Sequence, residues 1–385
     1  MSSDADKPLP MAGLRVLDIA SLYAAPLAAT VLADFGAEVI KIEPPGGDGF
    51  RKTAMWPVVA RNKKSITLDL RQQEGCRIFK ELIEKSDVLI ENYPTAVLKT
   101  RGIAYEDLTA RNPGLVMVSV SCFGQTGPYA PRPGSGTIGE AFGGLPHMVG
   151  PADGPPMLPS FPLGDAIGAL NIVVGTMMAL YWRDAGLGPR NGSDEPRRGQ
   201  HIDASLYEPV LFALSQVMSR WQPGQSPKRS GSRLLTSLIR NVYPTADHDY
   251  VVISVSTERH VVDLLNLAGG DRSDADAAVA RWIENLPLAV VLATLSAARI
   301  PVAPVNDIDA LLDDPHIQAR ESIVRVHDAE LGALALVAPC PRLSRTPGTI
   351  RSIGPVLGGH NDEIYRELLG IDAERLHRLG SQKII

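Results

Sequence analysis

Apolar and polar positions alternate in short blocks along the first third of the chain. Between Gly13 and Glu43 the sequence reads GLRVLDIA, SLYAAP, LAATVLADFGA and EVIKIE. The outer runs are β-branched and apolar, and the third has helical spacing of Ala and Leu. That order predicts strand, loop, helix and strand, a βαβ unit with a right-handed crossover. The pattern then repeats. Ser65–Leu70 reads as a strand, 72–86 as an amphipathic helix, Asp87–Asn92 as a strand, 104–112 as a helix and Gly114–Val120 as a buried strand. Strands alternating with helices predict an open α/β fold of Rossmann type with a parallel sheet. No G-x-G-x-x-G follows the first strand, where SLYAAP stands instead, so a dinucleotide-phosphate cradle is not expected.

The pattern changes after the fifth strand. Residues 124–165 are dense in Gly and Pro and predict an ordered loop region that lines a site. The run Ala166–Tyr181 (AIGALNIVVGTMMALY) then predicts a buried helix, with Asp165 at its N-cap or first turn. Asp184–Gln200 is polar and Gly-rich and reads as a mobile loop, followed by a helical run at 203–221 and a basic linker, SPKRSGSR. Residues 239–310 have the texture of a smaller α+β unit, with a strand at Tyr250–Val255 and helices near 257–268, 274–284 and 287–298. The expected organisation is a large domain begun by 1–220, a linker and small domain at 221–310, and a return to the large domain at 311–385.

Composition narrows the chemistry. With 385 residues and 44% hydrophobic content the chain can bury a large core, and two domains are expected. A net charge of −5 provides no basic field for nucleic acid. Cys76, Cys122 and Cys340 lie far apart with no His at ligand spacing, so neither a metal site nor a disulfide framework is expected. The polar start MSSDADKPLPMAG has no apolar signal segment, and the run at 166–181 is shorter than the roughly 20 residues needed to cross a bilayer. The reading is a cytoplasmic protein without a membrane partner.

Asp165 is the candidate for catalysis. An Asp at a helix start is ordinarily a cap, favoured by free N–H groups and the positive end of the helix dipole. The same surroundings would keep a nucleophilic carboxylate ionised, and residues alone leave both roles open.

Several segments in order decide between them. Gly13-Leu14-Arg15-Val16-Leu17-Asp18, Ala25-Pro26, and Leu32 through Pro44 (LADFGAEVIKIEP) come first. Asn62 through Leu70 (NKKSITLDL), Glu91-Asn92-Tyr93 and Gly124-Gln125-Thr126-Gly127-Pro128-Tyr129 follow. Leu163-Gly164-Asp165, Arg198 through Asp203 (RGQHID) and Gly358-Gly359-His360-Asn361 complete the set. Together they resemble the family III CoA-transferases, the group that includes formyl-CoA transferase and the α-methylacyl-CoA racemases. The resemblance implies an interlocked homodimer, with a coenzyme A thioester as substrate and no tightly bound cofactor. CoA would lie at the large domain of one subunit, with the acyl group near the small domain of the other. The family's catalytic aspartate falls on Asp165, which would attack a donor thioester, form a mixed anhydride and then an aspartyl-CoA thioester. The implied CoA contacts are Leu22, Tyr23 and Ala24 in the first loop, Leu68 and Arg71 around the L-D-L strand, Asn92 and Tyr93, and Gln125. Lys63 and Lys64 would add charge toward the 3′-phosphate. Taken alone, Arg71 could be solvated and Tyr23 a surface tyrosine. Oxyanion donors are expected from Gly164 and the Gly-rich stretch 134–144.

Two departures select a branch. The racemases carry an acid–base His where this chain has Ser135, and a serine cannot exchange a proton with a carbon acid near neutrality. His147, a dozen residues on, is expected to be structural. Formyl-CoA transferase carries a Tyr at the position of Phe123 and a Gly-run loop in the small domain, whose nearest match here is Ser230-Gly231-Ser232. The stretch 134–144 is more similar to the branch that handles succinyl, malyl or mesaconyl groups. A second carboxylate on the acceptor would need a cation, for which Arg132, Arg233 and Arg240 are candidates. The expected activity is therefore CoA transfer to a small carboxylic acid, with racemisation of an acyl-CoA as the alternative enzyme and an acyl-CoA-binding homologue without chemistry as the non-enzymatic one.

Overall fold

The computed structural model describes residues 9–186, 198–234 and 236–385. Most of the expected loop at Asp184–Gln200 lies outside the described residues. By internal contacts the chain forms two compact units. The larger comprises 1–143, 160–215 and 321–385, and the smaller comprises 144–159 and 216–320. The segment 144–159 thus belongs with the smaller unit, within a stretch read from sequence as part of 1–220.

In the larger unit six parallel strands form one sheet. They are β1 (Arg15–Asp18), β2 (Glu38–Glu43), β3 (Lys64–Thr67), β4 (Val88–Glu91), β5 (Val116–Ser121) and β6 (His201–Ser205), in the order β3-β2-β1-β4-β5-β6. This is the doubly wound order, whose direction reverses between β1 and β4. Both faces of the strands are apolar because helices cover both. Leu17, Ile40, Leu89 and Met117 enter one core, and Val16, Val39, Val88 and Val116 the other. β6 corrects the helical reading of 203–221. His201–Ser205 alternates in exposure and pairs with β5, and the helices that follow are short, at Glu208–Ala213 and Ser215–Met218.

The sheet edge at β3 is covered by the distant C-terminal segment. Ser65 N–H donates to His360 Nδ1 (3.1 Å), Thr67 N–H to Asn361 Oδ1 (3.0 Å) and Asp69 N–H to the carbonyl of Ile384 (2.7 Å), while Tyr365 donates its hydroxyl hydrogen to the Thr67 carbonyl (2.5 Å). These bonds occupy the backbone groups that an edge strand otherwise leaves open.

The smaller unit holds a three-stranded antiparallel sheet of β7 (Ile239–Pro244), β8 (Tyr250–Val255) and β9 (Val302–Pro304), in that order. Helices Glu258–Ala268, Ala275–Glu284 and Leu288–Ala297 pack on it around Tyr243, Ile253, Leu264, Val279 and Leu295. β7 was not legible in the sequence because its polar Arg240 and Asn241 interrupt the apolar pattern.

Candidate active site

Asp165 lies in the first turn of the helix Leu163–Asp184, which is 22 residues long and extends the expected run at both ends. By length and composition this helix could cross a membrane. Its buried row, from Gly168 and Ala169 through Ile172, Thr176, Ala179 and Leu180, packs within the larger unit. Asp165 is not the cap. The Gly164 N–H donates to Glu140 Oε1 at 2.7 Å, and Glu140 is only 2% exposed. Glu140 stands on the helix Gly136–Phe142, in a region expected to be loop. Glycines let these two helices close on one another. A Cβ on Gly136 would sit 2.0 Å from Asp165 Oδ2, and one on Gly164 would sit 2.7 Å from Glu140 Cγ. Two carboxylates therefore share one small site.

The consequence corrects the expectation that the helix start alone holds Asp165 in its ordinary range. Burial, and next the charge of Glu140, raise its pKa from 3.8 to about 6. It is still mostly ionised at neutral pH. Among the described residues its carboxylate has no hydrogen-bond or ion-pair partner. Gly164 is also corrected as an oxyanion donor, since its N–H is already engaged by Glu140.

A cavity of about 800 Å³ opens beside this carboxylate, at the C-terminal ends of β1, β4 and β5. It lies at the switch point where doubly wound sheets receive ligands. Leu22, Tyr23, Ala24, Asn92, Tyr93, Gln125 and Asp165 all line it. Asn92 clamps the crevice by accepting the Ser21 N–H (3.0 Å) and donating to the Ser21 carbonyl (2.8 Å). Leu22 is 61% exposed and holds φ 66, a left-handed conformation uncommon for leucine. Burial and the Asp165 charge both raise the Tyr23 pKa, and the same two causes act on the Cys122 thiol, which donates to the Ser135 carbonyl.

Three of the residues expected to bind CoA do not line the cavity. Leu68 is core. Lys64 bridges Glu38 and Glu363, each at 2.5 Å. Arg71 pairs with Asp69 at 2.8 Å and is largely exposed. Lys63, expected to reach a phosphate, is wholly buried against Asp18 at 2.7 Å. The cations in the lining are instead Lys99 and Arg132. Arg132 lies 3.8 Å from the centre of the Tyr129 ring, which packs in an aromatic cluster with Phe123 and Phe142. Among the described residues no carboxylate pairs with Arg132. Sequence reading missed Lys99 and Glu140. Lys99 had a signal in the basic last turn of Thr95–Arg101, whereas Glu140 had none, because its role depends on the fold that brings Gly164 to it.

The remaining candidates fall in the smaller unit. Arg233 pairs with Asp276 (2.5 Å), Arg240 donates to the Ser232 carbonyl (2.6 Å), and His147 Nε2 lies 3.3 Å from the Pro227 carbonyl. No group of three or more possible metal ligands occurs among the described residues.

Comparison with known proteins agrees with this arrangement. The succinyl-CoA–D-citramalate CoA-transferase of Chloroflexus aurantiacus is 36% identical, over 98% of both chains. The succinyl-CoA–L-malate CoA-transferase beta subunit of the same organism is 37% identical over the same shares. A succinate–glutarate CoA-transferase of Agrobacterium fabrum is 31% identical over 94% of this chain and 96% of its own. Among solved structures, a CAIB/BAIF family protein from Brucella suis superposes with a TM-score of 0.80 at 27% identity, covering 94% of this chain and all of its own. A Mycobacterium tuberculosis protein at 22% identity shares the fold, with a TM-score of 0.78 over 92% of this chain and 98% of its own. The family model for CoA-transferase family III matches residues 11–361. The chain belongs to CoA-transferase family III and is an enzyme of CoA transfer.

Proposed function

We propose that this enzyme moves CoA from a thioester such as succinyl-CoA to a small dicarboxylic acid, with Asp165 as the covalent carrier. The observation that carries the reading is the Asp165 carboxylate, unpaired and half-buried, on the wall of a cavity at the sheet's switch point. Buried carboxylates ordinarily acquire a partner, and one held ready without a partner suits a nucleophile. One Asp165 oxygen attacks the thioester carbon, the C–S bond breaks, and CoA thiolate leaves. The thiolate attacks the Asp165 carbonyl of the mixed anhydride and expels the donor acid, leaving an aspartyl-CoA thioester. An acceptor carboxylate then reverses both steps. No proton or electron is consumed, because one thioester is exchanged for another.

Arg132 supports the dicarboxylate assignment, since a guanidinium without a carboxylate partner in the same cavity can receive the second carboxylate of the acid. The names of the similar enzymes, which act with citramalate, malate and glutarate, favour the same class. CoA would enter past Leu22, Tyr23 and Asn92, with Lys99 toward its phosphates. Arg71, exposed and paired with Asp69, lies outside the cavity lining.

Mixing the enzyme with succinyl-CoA and a panel of mono- and dicarboxylic acids, then resolving the thioesters by chromatography, tests the transfer. New dicarboxyl-CoA is expected, and none from any acid would overturn the reading. Trapping with hydroxylamine, followed by peptide mass spectrometry, is expected to mark Asp165. Racemisation would instead wash deuterium into the α-carbon without an acceptor.

Two copies are expected to associate. The row Leu170, Val174, Met178 and Tyr181, each at least 50% exposed, supports this. Because relatives named as alpha and beta subunits exist, the mass in solution of the purified chain decides whether it pairs with itself.

A further inference from the structure

We infer that Glu140 is a positioning residue that makes the free Asp165 carboxylate the high-energy member of the catalytic cycle, so that acylation of Asp165 is driven in part by separating two like charges. The inference rests on the covalent role of Asp165 proposed above. Glu140 is 2% exposed, and it accepts from a neutral partner, the Gly164 N–H at 2.7 Å. Among the described residues no cation pairs with it. Gly136 and Gly164 have no side chains, and the space a Cβ would need at each is filled by one of these two acids, which brings the carboxylates close together.

The other titratable groups facing Asp165 are Tyr23, from the turn that opens the first helix, and Cys122, from the end of β5. Neither brings a positive charge. Lys99 and Arg132 line the same cavity, but no ion pair joins either to Asp165 among the described residues. Free Asp165 thus has burial and Glu140 acting against its charge, with no partner to offset them.

Acylation removes the cause. When the thioester is attacked, the negative charge passes first to the CoA thiolate. When the thiolate attacks the anhydride, the charge leaves on the departing donor acid. The aspartyl-CoA ester left behind is neutral, and Glu140 keeps its hydrogen bond at the helix start, where the dipole favours an anion. The acceptor carboxylate must then bring a charge back to regenerate Asp165. Glu140 therefore biases the enzyme toward its loaded form between the two half-reactions.

A role as a cap alone would predict something different, and the conservative variant separates the two. Glu140→Gln keeps an oxygen for the Gly164 N–H and deletes the charge. The acid limb of kcat/KM is expected to move to lower pH by about one unit. With succinyl-CoA alone, the fraction of enzyme trapped at Asp165 is expected to fall by about tenfold. Glu140→Ala, which loses the cap as well, should move the limb in the same direction while also lowering the thermal midpoint. An unmoved limb and an unchanged trapped fraction in a folded Glu140→Gln would overturn the inference, with Asp165 still the carrier. Absence of any Asp165 adduct in the wild type would overturn the covalent reading and this inference with it.

Discussion

The larger unit buries carboxylates in two opposite ways. Beneath the C-terminal ends of β1 and β2, Asp18 is wholly buried with Lys63 at 2.7 Å and Lys41 at 3.8 Å, and Lys41 also meets Asp48 at 3.2 Å. Lys63 spends a further hydrogen bond on the Pro26 carbonyl (2.7 Å), and Lys41 donates to the Ala20 carbonyl. Every charge there has an opposite, although burial still holds the Lys63 ammonium down to about 8. Asp165, half-buried, and Glu140 also lie close together, and among the described residues no cation pairs with either. The first arrangement fixes the loops that shape the crevice. The second leaves a carboxylate on a cavity wall without a counter-charge among the described residues, as the proposed covalent role of Asp165 requires. Burial alone does not distinguish the two acids; the counter-charge does, present at Asp18 and absent at Asp165 among the described residues.

The sharpest way to break this contrast is to delete one charge from each side. Asp165→Ala is expected to lower turnover on the order of 10⁴-fold or more while leaving the fold intact. Near-normal turnover in a steady-state assay would reduce Asp165 to a structural acid. Lys63→Met leaves Asp18 partly uncompensated and is expected to cost about 3–5 kcal/mol of unfolding free energy in urea titration, whatever its effect on rate. Arg132→Met should raise KM for dicarboxylic acceptors by about 10- to 100-fold, from the loss of one charge-assisted contact, and leave monocarboxylic acceptors little changed. An equal rise for both would place Arg132 at the CoA phosphates instead.

The smallest effect concerns stability and has a definite sign. Folding raises the Asp165 pKa from 3.8 to about 6, so the folded chain holds this proton more tightly than the unfolded one. The associated stability is fully present below pH 3.8 and is lost as pH rises through 6. Asp165→Asn, which never carries the charge, should therefore be more stable than the wild type at pH 8, by about 1–2 kcal/mol once partial solvent screening is allowed for. The gain should vanish below pH 4. Thermal unfolding across that range checks it, and a gain independent of pH would point to packing rather than charge.

Much of the fold was legible because parallel strands buried on both faces leave apolar blocks that periodicity detects, as in Val16-Leu17 and Val88-Leu89-Ile90. The helix Gly136–Phe142 was not legible, since five glycines in the eleven residues 134–144 read as loop until Asp165, Leu206 and Val210 are seen pressed against positions 136, 139 and 143. Residues on the loops after β1 and β4, expected at the site from the resemblance and, for Asn92 and Tyr93, from a strand end as well, do line the cavity. Charges were harder. Lys63, Lys64 and Arg71 looked available for phosphate, yet each already has an acid partner contributed by the fold. Glu140, read as one polar residue in a Gly-rich run, stands beside Asp165.

The covering of β3 by the C-terminal segment has a consequence for how the chain is made. Strands β1 to β5 are complete by residue 121, but Ser65, Thr67 and Asp69 wait for His360, Asn361 and Ile384 before their backbone groups are satisfied. During synthesis at about 5–20 residues per second, that interval spans tens of seconds in which the β3 edge lacks these partners. The stretch 216–320 emerges inside this interval and supplies most of the smaller unit. A chain cut short of residue 360 would lack every one of these bonds and leave the β3 edge as an open pairing surface.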